Sequence, residues 1–432
     1  MTGRECPENS DPWRSLLLSS MLPGRSLPTG MIADILIVRI TGGWSGMSAD
    51  TLTLFRPGYR EISRRAVATI GTYAVYLAAL AIFGASRAVV IAGVKFGALL
   101  VRDPDPRKWD AGPEWYHRLL RFDSGFYADI AKHGYHYNAD PSVMSSTAFY
   151  PLYPLAARAI TSATGIGEGV ALLLVANVAA AIAVLLMTKL IKDETDAETA
   201  LWSVALLMFF PTAFFFSAGY TESLCLVFVL LSLLALRDEK FLLASLAAGL
   251  AVGTRSIGIA LAPIILLEIV RHRASPWPQT ILKMAICGLL ATSGLIAFIG
   301  YLGVTIGHPL AFVQSQSAWH GGTLVERFLD AVSLTQLRHG GWFLIFMPLA
   351  IYSVWRLRLD LSLYALGVLL VPYLTLGITH SMNRYVLMCF PVFVILALLC
   401  KSRPIIGTII IAISSAYLLE QTARFSQWYW VG

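Results

Sequence analysis

Long apolar stretches recur along most of this chain, and they limit its possible folds more than any other feature. They run with few interrupting charges from about Ala66 to Leu419, and most are long enough for a helix to cross a hydrocarbon layer roughly 30 Å thick. Hydrophobic residues make up 56% of the 432 residues and charged residues only 14%. Such a chain is too apolar for one or two soluble domains, and the sequence predicts an all-α, multi-pass integral membrane protein.

Eleven apolar segments predict about eleven transmembrane helices. The segments lie near residues 68–99, 168–188, 199–217, 222–236, 241–254, 257–270, 284–306, 341–355, 361–379, 385–400 and 404–420. The predicted organisation is a disordered cytoplasmic tail at 1–60, a membrane-embedded domain at 61–421 with external loops at 100–147 and 307–340, and a short external tail at 422–432. The first 60 residues are rich in Gly, Ser, Pro and Arg, and a start of translation at Met31 or Met47 is an alternative.

The basic residues orient these helices, because short cytoplasmic loops are enriched in Lys and Arg. With the amino terminus inside, the cytoplasmic loops contain Arg56/Arg60/Arg64/Arg65, Lys189/Lys192, Arg237/Lys240, Arg271/Arg273/Lys283, Arg356/Arg358 and Lys401/Arg403. This arrangement requires that 148–160, broken by two prolines, lies at the interface, and that 241–270 forms two short spans hinged at Thr254 and Arg255. The external loop 100–147 also carries basic residues, which oppose this orientation, together with a similar number of acidic ones.

The remaining composition excludes some classes of function. The net charge of +7 is spread in small groups between apolar segments, which argues against nucleic-acid binding. Four of the five cysteines, Cys225, Cys287, Cys389 and Cys400, lie within apolar segments and are expected to be packing residues. No His, Cys or Asp cluster has metal-ligand spacing, so the cofactor is unknown and a divalent cation stays an open alternative.

Polar and ionisable residues gather on the predicted external side, at the ends of helices that otherwise contain almost none. They lie in Arg121–Tyr135, Tyr220–Glu222, Arg255, His308–His339 and Asn383–Arg384. Such a distribution is typical of a site at the membrane surface. For Arg121–Tyr135 the alternative is an amphipathic helix that lies on the bilayer with its aromatic residues inward and its charges solvated.

Two sequence blocks carry a family resemblance. The first is Arg121-Phe-Asp-Ser-Gly-Phe-Tyr-Ala-Asp-Ile-Ala-Lys-His-Gly-Tyr135, followed by Ala148-Phe-Tyr-Pro-Leu-Tyr-Pro154; the second is Phe209 to Leu224, which contains Ser-Ala-Gly-Tyr-Thr-Glu-Ser-Leu, followed by Thr254-Arg-Ser-Ile-Gly258. In this order they resemble the PIG-V-type GPI mannosyltransferases and their bacterial relatives, although Phe122 stands where that family usually has Trp. Weaker matches lie at Phe312–Trp319 and Asn383–Pro391.

The resemblance implies a C-type glycosyltransferase fold with a catalytic first external loop, and it implies that Asp123 is the catalytic residue. Attack of an acceptor hydroxyl on an anomeric carbon needs a base, and a carboxylate can remove the proton. The leaving group is a phosphate anion, so a second carboxylate acting as an acid is not needed, in contrast to glycosidases. Asp129 turns to another face of a helix and is expected to be structural.

The other candidates are assigned to substrate binding, each with a structural alternative. Glu222, beside Tyr220, is either a first-turn helix residue or part of the acceptor site. Arg255 lies at a helix break and binds either the donor phosphate or a carboxylate within the bundle. Arg384 is a cation at a predicted helix start, where the positive end of the helix disfavours it, so it is a second candidate for binding the donor phosphate. The weaker candidates are His133, His308, Gln314, Trp319 and His320.

The predicted activity is inverting transfer of a sugar, with mannose expected, from a polyprenyl- or dolichyl-phosphate donor to an acceptor hydroxyl. The site is predicted to face outward from the plasma (inner) membrane, and the acceptor, whether glycan, lipid or protein, is not identified. Two alternatives are a transporter or lipid-linked-sugar flippase, for which the sequence offers no internal repeat, and a non-catalytic membrane scaffold.

Overall fold

The computed structural model describes residues 57–102, 112–140, 143–316, 337–376 and 381–431, with side chains for 73–102, 112–140, 143–315, 341–373 and 381–431. The chain divides into two compact units, Met1–Gly71 and Thr72–Gly432. Apart from the first residues of the helix Pro57–Leu100, which belong to the first unit, everything below concerns the second unit. The predicted tail at 1–60 and most of the predicted loop at 307–340 lie outside the described residues.

The described part of the chain is helical and contains no strand, which confirms the all-α class. The helices are α1 Pro57–Leu100, α2 Asp123–His133, α3 Leu152–Thr164, α4 Glu168–Glu194, α5 Ala197–Met208, α6 Glu222–Arg237, α7 Phe241–Thr254, α8 Leu261–Arg271, α9 Trp277–Thr305, α10 Ala311–Gln316, α11 Leu337–Ser353, α12 Leu359–Leu376, α13 Met382–Met388, α14 Phe390–Ser402 and α15 Pro404–Ser426. Short 3-10 helices lie at Trp115–Leu119, Ser146–Ala148, Ala213–Phe216 and Ser256–Ala260.

Each predicted apolar segment overlaps a helix, and the longest helices are long enough to cross a membrane. Among the described residues there are four such helices: Tyr73–Leu100 of α1, α4, α9 and α15. The number of spans becomes five if the bent pair α13–α14 crosses the membrane as one span. Several further apolar helices, including α5 and α7, are shorter. The chain is an integral membrane protein, and the count of eleven spans stays a prediction.

The predicted hairpin at Arg255 is present. Helix α7 ends at Thr254, Arg255 is extended with φ of −161°, and the chain returns through a 3-10 helix into α8. The return is tight, since a Cβ on Gly258 would meet the backbone of α7. The ring centroids of Phe241, at the start of α7, and His272, just after α8, lie 6.5 Å apart. Both ends of the hairpin therefore lie at the same end of the bundle.

Basic residues from three predicted cytoplasmic loops meet one acidic connection between α4 and α5. Arg237 lies 2.6 Å from Asp193, Arg358 lies 2.7 Å from Glu194, and Lys401 lies 2.7 Å from Asp196. Asp196 also caps α5 through the Thr199 backbone amide at 2.9 Å. Partial burial would raise the pKa of Asp196, but the hydrogen bonds from Lys401 and Thr199 outweigh it and hold that pKa below its usual value. These three predicted cytoplasmic loops thus meet the connection between α4 and α5 at one end of the bundle.

The helices depart from the predicted segments at three places, and prolines explain the first two. In the segment predicted at 199–217 the α-helix ends at Met208, because Pro211 lacks an amide donor and its ring crowds the preceding turn, and only a short 3-10 helix follows at Ala213–Phe216. The segment predicted at 385–400 bends by 72° at Cys389, two residues before Pro391, which lies in the first turn of α14. Helix α15 runs to Ser426, past the predicted boundary at 420, so the predicted tail begins within a helix.

Candidate active site

Asp123 occupies the first turn of α2, where the positive end of the helix favours a carboxylate. Phe122 precedes it with φ of 53° and ψ of −117°, a backbone conformation that residues other than glycine rarely adopt. At the other end of α2, Arg158 donates from Nε to the Ala131 carbonyl at 2.6 Å and from Nη2 to the Ile130 carbonyl at 2.8 Å. The Ala131 carbonyl is one that the helix end leaves without an intrahelical partner, whereas the Ile130 carbonyl also accepts the Gly134 amide. Arg158 thus fixes the carboxyl end of α2.

Glu222 is the first residue of α6. It directly follows the loop that begins where Pro211 ends α5. Its side chain is completely buried. Within the same loop, the Tyr220 hydroxyl donates to the Arg121 carbonyl at 3.1 Å. Because Arg121 lies two residues before Asp123, this bond fixes the second motif block against the first.

Arg255 reaches Glu222 from the hairpin between α7 and α8. Its Nη1 atom donates to Glu222 Oε1 at 2.6 Å and to Thr221 Oγ1 at 3.2 Å. The guanidinium carbon lies 4.8 Å from the centre of the Tyr385 ring, a cation–π distance. The structure therefore contains the intramolecular salt bridge that was the alternative to phosphate binding.

Arg384 comes from α13, the short helix on one side of the 72° bend. Its Nη1 atom donates to Asp123 Oδ2 at 2.7 Å, and its Nε atom donates to Glu222 Oε1 at 2.8 Å. The guanidinium carbon lies 4.6 Å from the centre of the Tyr220 ring. Arg384 thus neutralises two carboxylates at once, which explains how a cation is accommodated at a helix start.

The four charged side chains form one alternating series, Asp123–Arg384–Glu222–Arg255, with no net charge. We call it the ion-pair network. Asp123 is 19% exposed, Arg384 6%, Glu222 0% and Arg255 10%. Asp123 is therefore the member most accessible to a substrate, and Glu222 the least. Away from water the attraction between these charges is strong, and so is the cost of leaving one unpaired.

Several polar atoms beside the network are buried without a hydrogen-bond partner among the described residues. They are Glu222 Oε2, Arg255 Nε, Ser124 Oγ and Asn383 Oδ1. Buried polar groups rarely remain unsatisfied, and such atoms often mark a functional site. The Nη2 atoms of Arg255 and Arg384 also make no hydrogen bond within the described part of the chain, so both arginines have donors to offer an anionic ligand.

Tyr127 lies one helical turn after Asp123 and faces the network. Burial raises the pKa of its phenol, and the negative charge of Asp123 raises that pKa further. The Tyr127 hydroxyl therefore stays protonated at neutral pH. It can donate a hydrogen bond to a substrate, but it cannot replace Asp123 as a base.

The structure brings Asp123, Tyr220, Glu222, Arg255 and Arg384 together, but not the predicted histidines. His133 is 55% exposed and lies 2.8 Å from Asp129, on another face of α2 that borders a surface groove of about 350 Å³. The His308 ring lies 5.2 Å from the Tyr137 ring, and Tyr137 donates to Gln314. Trp319 and His320 lie outside the described residues.

A metal site is not visible among the described residues, where no three His, Cys, Asp or Glu side chains form a group suited to a metal ion. The ion-pair network contains only two carboxylates, and both are bonded to arginines.

Sequence reasoning missed the aromatic residues at the end of α15 and directly after it. Phe122 packs against Phe425, Trp428 and Trp430, with ring centroids 5.7, 5.3 and 5.1 Å away. The available signal was the strongly aromatic run Gln427-Trp-Tyr-Trp430. Its position against α2 depends on long-range packing, which the sequence pattern does not reveal.

Two solved membrane structures resemble the chain at low similarity. ArnT from Cupriavidus metallidurans bound to undecaprenyl phosphate is 15% identical with a TM-score of 0.47, and the match covers 75% of this chain and 60% of that one. The archaeal oligosaccharyltransferase AglB from Archaeoglobus fulgidus, in complex with an inhibitory peptide and a dolichol-phosphate, is 13% identical with a TM-score of 0.39, covering 79% and 55%. The chain thus spans less than two thirds of the length of either protein.

No curated protein matches the chain. A family model does match residues 110–297, a range that contains Asp123, Tyr220, Glu222 and Arg255 but not Arg384. The match confirms the resemblance predicted from the two motif blocks: over residues 110–297 the chain is similar to the mannosyltransferase (PIG-V) family.

Proposed function

We propose that this protein is a C-type membrane glycosyltransferase with about eleven spans, which transfers mannose from a polyprenyl- or dolichyl-phosphate carrier to an acceptor hydroxyl. The observation that carries the proposal is the ion-pair network, which joins Asp123 of the first motif block to Glu222 and Arg255 of the second through Arg384. The family match over residues 110–297 supports the same activity.

Asp123 is the general base in the proposed reaction. The acceptor oxygen attacks the anomeric carbon, the bond from that carbon to the phosphate oxygen breaks, and the phosphate leaves with the bonding electrons. Asp123 takes the proton of the acceptor hydroxyl. A single displacement inverts the anomeric centre. Glu222 is unsuited to this role, because it is fully buried and Arg384 and Arg255 both donate to the same oxygen, Oε1.

Arg384 and Arg255 bind the donor phosphate in this proposal. Each keeps its bond to Glu222 and offers Nη2 to the phosphate, and the planar guanidinium suits a phosphate with two oxygens in reach. The carrier phosphate changes from a singly charged diester to a doubly charged monoester as Asp123 becomes neutral. Arg384, which contacts Asp123, is placed to follow this shift of negative charge.

The activity is tested by incubating membranes that contain the protein with radiolabelled polyprenyl-phosphate mannose and identifying the labelled product. We expect label in an acceptor fraction that membranes without the protein do not label. Labelling from a nucleotide sugar but not from the lipid donor would contradict the proposal. Movement of the labelled lipid between leaflets, with no transfer, would favour the flippase, since helices broken at a charged cluster also occur in transporters.

We also propose that the ion-pair network faces outward from the plasma membrane, with the amino terminus inside and the carboxyl terminus outside. The gathering of Arg237, Arg358 and Lys401 at the opposite end supports this orientation. Reporter fusions at Arg237, Arg271 and Gly432 test it. We expect the first two to report the cytoplasm and the third the exterior. Opposite results for Arg237 and Arg271 would be incompatible with the hairpin and the orientation.

A further inference from the structure

Residues Phe425–Val431, which we call the aromatic segment, lie against both halves of the ion-pair network. On the Asp123 side, Arg121 donates from Nε to the Ser426 carbonyl at 3.3 Å and its guanidinium lies 4.7 Å from the Trp428 ring centre. On the Arg384 side, Asn383 donates from Nδ2 to the Val431 carbonyl at 3.2 Å. The segment lies outside residues 110–297, so the family match assigns it no role.

Phe122 needs an external restraint. A bulky residue with φ of 53° and ψ of −117° is strained, and such conformations persist only where surrounding contacts enforce them. Three rings supply these contacts, from Phe425, Trp428 and Trp430, with centroids between 5.1 and 5.7 Å away. Because Phe122 directly precedes Asp123, relaxation of its backbone would reorient the start of α2 and move the carboxylate.

Trp430 is the member of the segment that contacts both sides. Its ring lies 5.1 Å from the Phe122 ring, and its ring centre lies 5.8 Å from the guanidinium carbon of Arg384. The same guanidinium donates to Asp123 at 2.7 Å. Trp430 therefore packs against the residue that sets the position of Asp123 and against the arginine that pairs with it.

We propose that the aromatic segment is a positioning element of the active site, in which Trp430 holds Phe122 and Arg384 so that Asp123 keeps its orientation toward the acceptor. The inference rests on the proposed function for its catalytic consequence, but the restraint on Phe122 does not depend on any activity. Trp430 acts through Asp123 and is not itself a catalytic residue.

The test compares Trp430→Ala and Trp430→Phe with Trp355→Ala as a matched control. Trp355 is 72% exposed and lies near the basic end of the bundle. In Trp430→Ala we expect kcat to fall about 10- to 100-fold, since small misplacements of a reacting group have effects of this size. KM for the donor should change less than about threefold. The Phe variant, which keeps an aromatic ring, should recover most of kcat, and the control should behave as wild type.

Hydrogen exchange of peptides covering residues 119–127 gives a readout independent of activity. Trp430→Ala should speed exchange in these peptides and leave those of the basic end unchanged. Unchanged exchange at 119–127, wild-type kcat, or uniformly faster exchange that Trp430→Phe does not rescue would each overturn the inference. If the wild-type protein transfers no sugar, the proposed function fails, and the exchange result alone decides whether Trp430 restrains Phe122.

Discussion

Replacing Asp123 with asparagine should lower the rate of sugar transfer about 10²- to 10⁴-fold, the usual contribution of general-base catalysis. Asparagine is nearly isosteric and its Oδ1 atom can still accept the hydrogen bond from Arg384, but it cannot take up a proton. The protein should still fold, because Asp123 is the most exposed member of the ion-pair network and Glu222 continues to neutralise Arg384. Initial rates with purified protein and polyprenyl-phosphate mannose measure the effect.

Asp129→Asn is the matched control for this substitution. Asp129 lies on the same helix but pairs with His133, on a more exposed face and outside the ion-pair network. We expect its loss to change the transfer rate only slightly. Near-normal transfer by the Asp123 variant, or a greater sensitivity at Asp129, would mean that Asp123 is not the base. A rate loss beyond 10⁴-fold would indicate that Asp123 also positions the acceptor.

The clustering of the charged residues in the candidate site could be predicted, because helix ends are easy to read from a membrane protein sequence. The apolar segments and the basic loops place Asp123, Glu222, Arg255 and Arg384 at helix ends on one side of the bundle, and the structure brings all four into one network. The hairpin at Arg255 followed from the same reasoning, since one long helix would have separated two basic loops. Charge and hydropathy suffice for placement at this level.

The pairing within the site could not be predicted, because it depends on how helices distant in the sequence pack together. The sequence left Arg255 with two candidate partners, a phosphate or a carboxylate, and only the packing of α6 against the hairpin reveals Glu222 at 2.6 Å. The strained backbone of Phe122 and the contacts of Trp430 also depend on packing between segments that are distant in the sequence. His133, in contrast, lies one helical turn after Asp129, on the face of α2 that was already predicted to turn away from Asp123, so its place outside the network could have been predicted.

Charge conservation explains why Arg384 is central to the proposed mechanism. In the proposed transfer one negative charge moves from Asp123 to the phosphate, which changes from singly to doubly charged, so the total charge around Arg384 need not change. A cation that can contact both groups stabilises the reaction throughout, without reorganising the buried Glu222 and Arg255. The hydrogen bond from Arg384 Nε to Glu222 keeps the guanidinium in place while its Nη atoms contact Asp123 and, in the proposed reaction, the donor phosphate.

Replacing Arg384 with methionine should destabilise the protein by about 3 to 5 kcal/mol, the usual cost of breaking a buried ion pair from one side. Glu222 is completely buried and would depend on Arg255 alone, while Asp123 would lose its bonded partner. Sugar transfer should fall at least as far as in Asp123→Asn, because the variant loses both the partner of the base and a ligand of the phosphate. The midpoint of unfolding in detergent measures stability.

A double-mutant cycle separates the lost ion pair from other effects of the methionine. Glu222→Gln removes the buried negative charge, so Arg384→Met combined with Glu222→Gln should be less destabilised than the sum of the two single variants. Arg237→Met, at the other end of the bundle, removes an arginine that is 31% exposed and pairs with Asp193 and Glu194, and its cost should stay within about 1 kcal/mol. If Arg384→Met proved as stable as Arg237→Met, and the two changes at Arg384 and Glu222 were additive, the buried ion-pair network would not be what holds these segments together. The strong, non-additive loss is expected because Arg384 is the only described cation that contacts Asp123 and Glu222 simultaneously.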